Sequence, residues 1–232
     1  MNEADRETAE RHQAIWEEFR CRPAVSPWTG RLPLPPGVTA TAGFVIPVDD
    51  ATVRRRLQEI VERLEATGAV TAFEPGYWHI TIVPPVLLTS GNPTPPRLLP
   101  ETFIQEALEK GRKAVRDLGP FEVAVRGLNG FHDVLVAVPY DGGRGRELGR
   151  LLRSAMPELP ERYPDGHEPL PHISLTQYAR DDRLEEMVEL VQRERGTGFG
   201  HFQARRLEMF VLPWREGVPG RVKKHQIPLV ER

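Results

Sequence analysis

The chain has 232 residues and a formal net charge of -2. It is long enough to bury a substantial core, as one large domain or two small lobes, and too acidic for a broad basic groove along long double-stranded nucleic acid. One cysteine, Cys21, excludes an internal disulfide framework and fits a reducing, cytoplasmic setting. The Glu/Arg-rich start and the lack of an apolar run of about 18 residues predict neither a secretory signal nor a membrane span.

In chain order, Asn2–Arg20 reads as a polar helix with a thin apolar stripe of Ala9, Ile15, Trp16 and Phe19. Arg22–Gly37, with five Pro and two Gly, reads as an extended linker that Trp28 and Leu32–Leu34 pin to the body. Residues 1–40 thus form an N-terminal extension, and 41–232 the main domain. A strand is expected over Gly43–Val48. Asp49 or Asp50 then caps a helix to about Ala66, whose buried stripe is Val53, Leu57, Ile60, Val61 and Leu64, and Gly68 ends it. The Arg54–Arg56 run reads as a solvated helix face. An apolar strand over Tyr77–Val83 stops at Pro84-Pro85, and Leu88–Pro100 reads as a Pro-rich loop. A helix is expected over Glu101–Leu118, strands over Phe121–Arg126 and Val134–Val138, and a short helix over Arg146–Ser154. Leu159–Glu168 reads as a polar loop before the strand Leu170–Thr176. Asp181 or Asp182 caps a helix to about Arg193. Two last strands are expected near Phe202–Leu212 and Arg221–Val230.

Two tetrapeptides in this series share one pattern: His79-Ile80-Thr81-Ile82 and His172-Ile173-Ser174-Leu175. Side chains alternate along a strand, so His79 shares a face with Thr81 and His172 with Ser174, while the aliphatic residues face a core. Their contexts match as well. Phe44–Asp49 and Val136–Asp141 each read as strand followed by a Pro-x-Asp turn and a helix, and Pro47 precedes His79 by 32 residues where Pro139 precedes His172 by 33. Such a repeat predicts two similar lobes facing each other, each giving one His to a shared cleft. Two imidazoles flanking one phosphorus suit proton transfer near neutral pH, and two hydroxyls suit its non-bridging oxygens. No third ligand stands beside either motif, so neither a metal nor any other cofactor is expected. By strand parity Tyr77 joins the His79 face, and Thr176 and Tyr178 join the His172 face, where an aromatic ring can stack on a base. His12, His132, His167, His201 and His225 lack the motif and read mostly as surface residues, with His132 and His167 in loops that border the cleft. No Rossmann or P-loop glycine signature is present.

On His79-x-Thr81 and His172-x-Ser174 in their strand contexts, roughly residues 40 to 230 resemble the two-histidine (2H) phosphoesterases. That family includes the bacterial RNA 2′,3′-cyclic phosphodiesterases also known as 2′-5′ RNA ligases. The resemblance implies an α+β fold of two pseudo-symmetric lobes, each with an antiparallel sheet and helices outside, and a cleft between them. It implies a metal-independent hydrolase whose catalytic set is His79, Thr81, His172 and Ser174. Such an enzyme opens 2′,3′-cyclic phosphate ends of RNA or small nucleotides to a 2′-phosphate. Phe131 resembles a family aromatic before the central strand, whereas His132-Asp133 replaces the Arg-containing stretch that often follows it. The expected partner is an RNA terminus or a small cyclic nucleotide, bound by a monomer. Cleavage of 2′-5′ linkages, reverse ligation, and a non-catalytic module that binds RNA ends are the alternatives.

Overall fold

In a computed structural model, residues 1–21, 23–30, 34–90, 98–163 and 169–230 are described. The elements run α1 (Glu3–Cys21), β1 (Val38–Pro47), α2 (Ala51–Ala66), β2 (Val70–Ala72), β3 (His79–Thr81), β4 (Val86–Thr89), β5 (Leu98–Pro100) and α3 (Phe103–Val115). They continue with β6 (Phe121–Gly130), β7 (Val134–Tyr140), α4 (Arg144–Ala155), β8 (Ile173–Tyr178), α5 (Leu184–Glu194), β9 (Gly198–Ala204), β10 (Arg206–Arg215), β11 (Val218–Pro219) and β12 (Lys223–Pro228). A 3-10 turn at Pro75–Tyr77 leads into β3.

The strands follow the order β11-β10-β1-β3-β8-β7-β6-β9, with β12 on β10, β2 on β8, and β4 on β1. One lobe is the β12-β10-β1-β3 portion and the other is β8-β7-β6-β9. All pairings are antiparallel except β4 with β5. This is the expected bilobal α+β fold. The lobes meet where β3 pairs with β8, with Ile80 opposite Ile173. The expected strand Phe202–Leu212 is in fact two. β9 lies at the edge of one lobe and β10 inside the other, so the chain crosses between lobes at Arg205, a step that the sequence marks with no turn residue.

The helices exchange between lobes. α2 leaves β1 but packs on β8 and β9 of the other lobe. α4 leaves β7 but lies over β3's continuation, its Gly149 held against the Ile82 carbonyl and its Gly145 against the Ile82 side chain. α3 completes that side, with Gly111 against Phe44 and Ile227. Apolar burial therefore crosses the pseudo-symmetry axis in both directions, and Phe44, Ile46, Leu57, Leu64, Leu148, Leu152 and Ile173 belong to one core. Asp50 caps α2 as expected, accepting from the Thr52 and Val53 amides at 2.9 Å. α5 differs: it starts at Leu184 after Arg183, with no side-chain cap. Gly127 turns β6 at φ 78°, where a Cβ would meet the Arg195 carbonyl oxygen at 2.5 Å.

α1 packs along β6 and β7, and its buried face is Thr8, His12, Trp16 and Phe19. The segment after it runs beside β8, where the Trp28 amide donates to the Tyr178 carbonyl at 2.8 Å. Leu32 and Pro33 of the expected pinning segment lie outside the described residues, as do positions 91–97 of the Pro-rich loop. Because Ile80 and Ile173 are wholly buried where the lobes join, Ile173→Ala should cost about 2–5 kcal/mol by leaving a cavity. A urea midpoint within error of the wild type would contradict the buried joint.

Candidate active site

An antiparallel register with Ile80 opposite Ile173 fixes its neighbours. A regular antiparallel continuation by one residue to either side would set His79 across from Ser174 and Thr81 across from His172, just ahead of β8. That continuation puts the two histidines on the diagonal, a spacing of about 7–8 Å between strand positions in a regular ladder. Burial follows the alternation: Ile80 and Ile173 are buried, while His79, Thr81, His172 and Ser174 are each half-buried. The structure thus brings together the four residues singled out by sequence.

Both imidazoles are held in one way. Nδ1 of His79 donates to the Tyr77 carbonyl (2.5 Å), and Nδ1 of His172 to the Leu170 carbonyl (2.8 Å), two residues upstream in each case. A carbonyl oxygen only accepts, so Nδ1 carries the hydrogen and Nε2 is the basic nitrogen of each neutral ring. Removal from water pushes both pKa values down. His79 falls to about 4, pushed by burial first, against its hydrogen bond to Tyr77; the nearness of His172 and of Lys224 pushes it lower and Glu208 pulls it up. His172 is lowered by burial, opposed by its bond to Leu170 and by Asp133.

The other expected residues divide. Tyr77 is 42% exposed, two residues before His79. Phe131 stands edge-on to His172, with ring centroids 5.1 Å apart. Tyr178 and Thr176 are corrections, for both are wholly buried and neither side chain is open to a ligand. Pairing slips within β8, where Leu135 is opposite Thr176 but Val136 is opposite Ser174, so alternation counted from His172 does not carry past Leu175. Tyr178 also lies under α1, stacked on Phe19 at 6.3 Å. His132 is exposed, and His167 lies outside the described residues.

Sequence reasoning missed four neighbours. Phe210 packs against His79 with centroids 6.1 Å apart, and Glu208, two residues before it, is buried with its Oε1 taking a 2.9 Å bond from Arg206. Lys224 donates to the Gly76 carbonyl at 2.7 Å and lies 3.7 Å from Glu208. Only the lobe-crossing β10 and its partner β12 bring these beside the motif. The fourth is His12, expected at the surface but 2% exposed. Its place between Thr8 and Trp16 at helical spacing was the available signal. Arg54 also departs from the solvated face expected of it, since it donates to the Pro75 carbonyl at 2.7 Å, whereas Arg55 and Arg56 are exposed. Among the described residues no three His, Cys, Asp or Glu side chains are grouped to hold a metal ion.

His79 and His12 both fall from an ordinary 6.5 to about 4 on folding, so the folded chain binds fewer protons than the unfolded chain. Their contribution is full above about pH 6.5 and is lost as pH falls toward 4. Urea midpoints should decline through that window, and His79→Gln should flatten the decline. Identical pH slopes for the two proteins would show that His79 is not buried as the neutral ring.

Comparisons with known proteins agree with this fold. The chain shares 83% of its length with all of TT0787 of Thermus thermophilus, at TM-score 0.59 and 18% identity. For Escherichia coli LigT complexed with phosphate the shares are 84% of this chain and 99% of LigT, at TM-score 0.56 and 13% identity. LigT complexed with 3′-AMP aligns at TM-score 0.53 and 15% identity over 82% of this chain and 95% of LigT. At these identities the likeness is one of fold. No curated protein sequence matches the chain. The sequence profile of the 2′-5′ RNA ligase superfamily matches residues 53–211, more than half of the chain and both histidine motifs, and the chain belongs to that superfamily.

Proposed function

We propose that the protein is a metal-independent phosphoesterase that opens terminal 2′,3′-cyclic phosphates on RNA or small nucleotides. The two motif histidines, brought to one junction by the pairing of Ile80 with Ile173 and each with Nε2 as its basic nitrogen, are the observation that carries this reading. Superfamily membership supports phosphoesterase or ligase-type chemistry.

Water attacks phosphorus in line with O3′. One imidazole, neutral at the start, takes the water proton at Nε2. The other, protonated at the start, gives its proton to O3′ as the P–O3′ bond breaks, leaving a 2′-phosphate. Thr81 and Ser174 donate to the non-bridging oxygens as charge builds there. Tyr77, at 42% exposed beside His79, offers a face for the base. A 2′-5′ phosphodiesterase or the reverse ligation is the second reading, favoured by the superfamily's name, because this mechanism assigns the four motif residues to the phosphate alone.

With EDTA present, the protein should turn over a 2′,3′-cyclic nucleotide and a cyclic-phosphate-ended oligonucleotide. No turnover of either would remove the reading, and a strong preference for 2′-5′ dinucleotides would transfer it to the second. His79→Ala and His172→Ala should each lower kcat by about a hundredfold or more, with the double variant losing far less than the product of the two. Thr81→Ala and Ser174→Ala should cost about tenfold to a hundredfold.

The pH profile carries a sign. Burial lowers both imidazoles from 6.5, and one of them must be protonated for turnover. The bell of kcat/KM should therefore lie on the acid side, falling as pH rises above about 6.5. A maximum above pH 8 would contradict two-imidazole catalysis in this site.

A further inference from the structure

We infer that His12 of the N-terminal helix is a positioning residue for His172, acting through the carbonyl of Pro171. Nε2 of His12 lies 2.9 Å from the Pro171 carbonyl oxygen. Nδ1 of the same ring lies 2.9 Å from Nδ2 of Asn129. Since a carbonyl only accepts and an amide NH2 only donates, the ring is neutral, with its hydrogen on Nε2. Asn129, wholly buried, is satisfied on both sides: it donates also to the His12 carbonyl at 2.8 Å, and its oxygen accepts from the Gly130 amide at 2.9 Å. The His12 ring stacks on Phe131 (5.8 Å, 15°), which in turn stands edge-on to His172 (5.1 Å, 66°). His12 therefore reaches His172 by two routes, one through the backbone and one through a ring.

The need for such a tie is visible in the strand. β8 begins at Ile173, Pro171 has no amide hydrogen, and His172 comes before the ladder. In the other lobe, the turn before His79 is tied from outside by Arg54 on the Pro75 carbonyl and Lys224 on the Gly76 carbonyl, each at 2.7 Å. His12 supplies the corresponding tie in the second lobe, from a helix that lies outside the superfamily match at 53–211. That helix is itself fixed to its lobe. Asp5 accepts from the Gly142 amide at 2.9 Å, Glu7 pairs with Arg146 at 2.7 Å, and Trp16 donates to Gln192 at 2.8 Å.

Two substitutions separate positioning from plain stability. In His12→Gln the side-chain amide nitrogen falls near the position of Nε2 and can still donate to Pro171. In His12→Asn the side chain falls near Nδ1, keeps to Asn129 and loses Pro171. Both cost packing against Phe131. The readouts are the NMR titration of the His172 imidazole in the full chain and kcat on a 2′,3′-cyclic nucleotide. His172 is faced by Asp133, His79 and His12, and none of these is changed in charge by either variant near neutral pH, where His12 is neutral. The expected result is that His12→Asn moves the His172 titration up toward 6.5 as water enters. It should also lower kcat about tenfold with KM within about threefold, while His12→Gln stays near wild type in both. If the two variants give the same His172 titration and the same kcat, whether both near wild type or both reduced, the inference is overturned. The kinetic readout rests on the proposed reaction and the titration does not, so a wild type without turnover removes that reaction and leaves the His172 titration to decide on His12.

Discussion

One residue pair sets the geometry of this molecule. Ile80 opposite Ile173 is the point where the two lobes' ladders touch, and each isoleucine is the central residue of its own His-x-hydroxyl motif. A slip of one residue in that pairing would turn every motif side chain to the other face. Wholly buried aliphatic side chains on the core face make such a slip expensive, so the hydrophobic effect, which has no interest in phosphate chemistry, fixes the relation of the polar groups on the opposite face. The exchange of helices strengthens the joint. α2 and α4 each bury their apolar stripes on the lobe that their preceding strand does not belong to, so neither lobe can move away without exposing core.

Most of this was legible because it is local and periodic. The alternation through His79–Ile82 and His172–Leu175, the Asp50 cap and the α2 stripe need only a window of a few residues, and the duplicated order implied the two lobes. What was not legible depends on long-range pairing. The crossover at Arg205 puts consecutive residues into opposite lobes and delivers Phe210 and Glu208 to His79. The slip at Leu175 ends the parity on which Thr176 and Tyr178 had been placed. The burial of Tyr178 comes from a helix more than a hundred residues away in sequence. His12 was misplaced for a related reason: a lone histidine in a polar helix looks solvated until Asn129 and the Pro171 carbonyl are seen to saturate both ring nitrogens.

The pseudo-symmetry of the site extends to its hydrogen bonds and stops at its charges. Both histidines donate from Nδ1 to the carbonyl two residues upstream, a match that follows from placing one motif in one strand conformation twice. Their surroundings then differ. His79 has Lys224 pushing its pKa down and Glu208 pulling it up, with Phe210 against its ring. His172 has Asp133 pulling up, and Phe131 and His12 behind it. In the reaction proposed above, two identical imidazoles would share protons indifferently, and half of the bound complexes would carry the proton on the unproductive ring. Unequal neighbours remove that degeneracy, because the ring with the higher affinity for a proton in the assembled site holds it before substrate arrives. Duplication therefore accounts for where the rings are, and the divergent residues contributed by β10, β12, α1 and the β6–β7 turn account for why the two are not interchangeable.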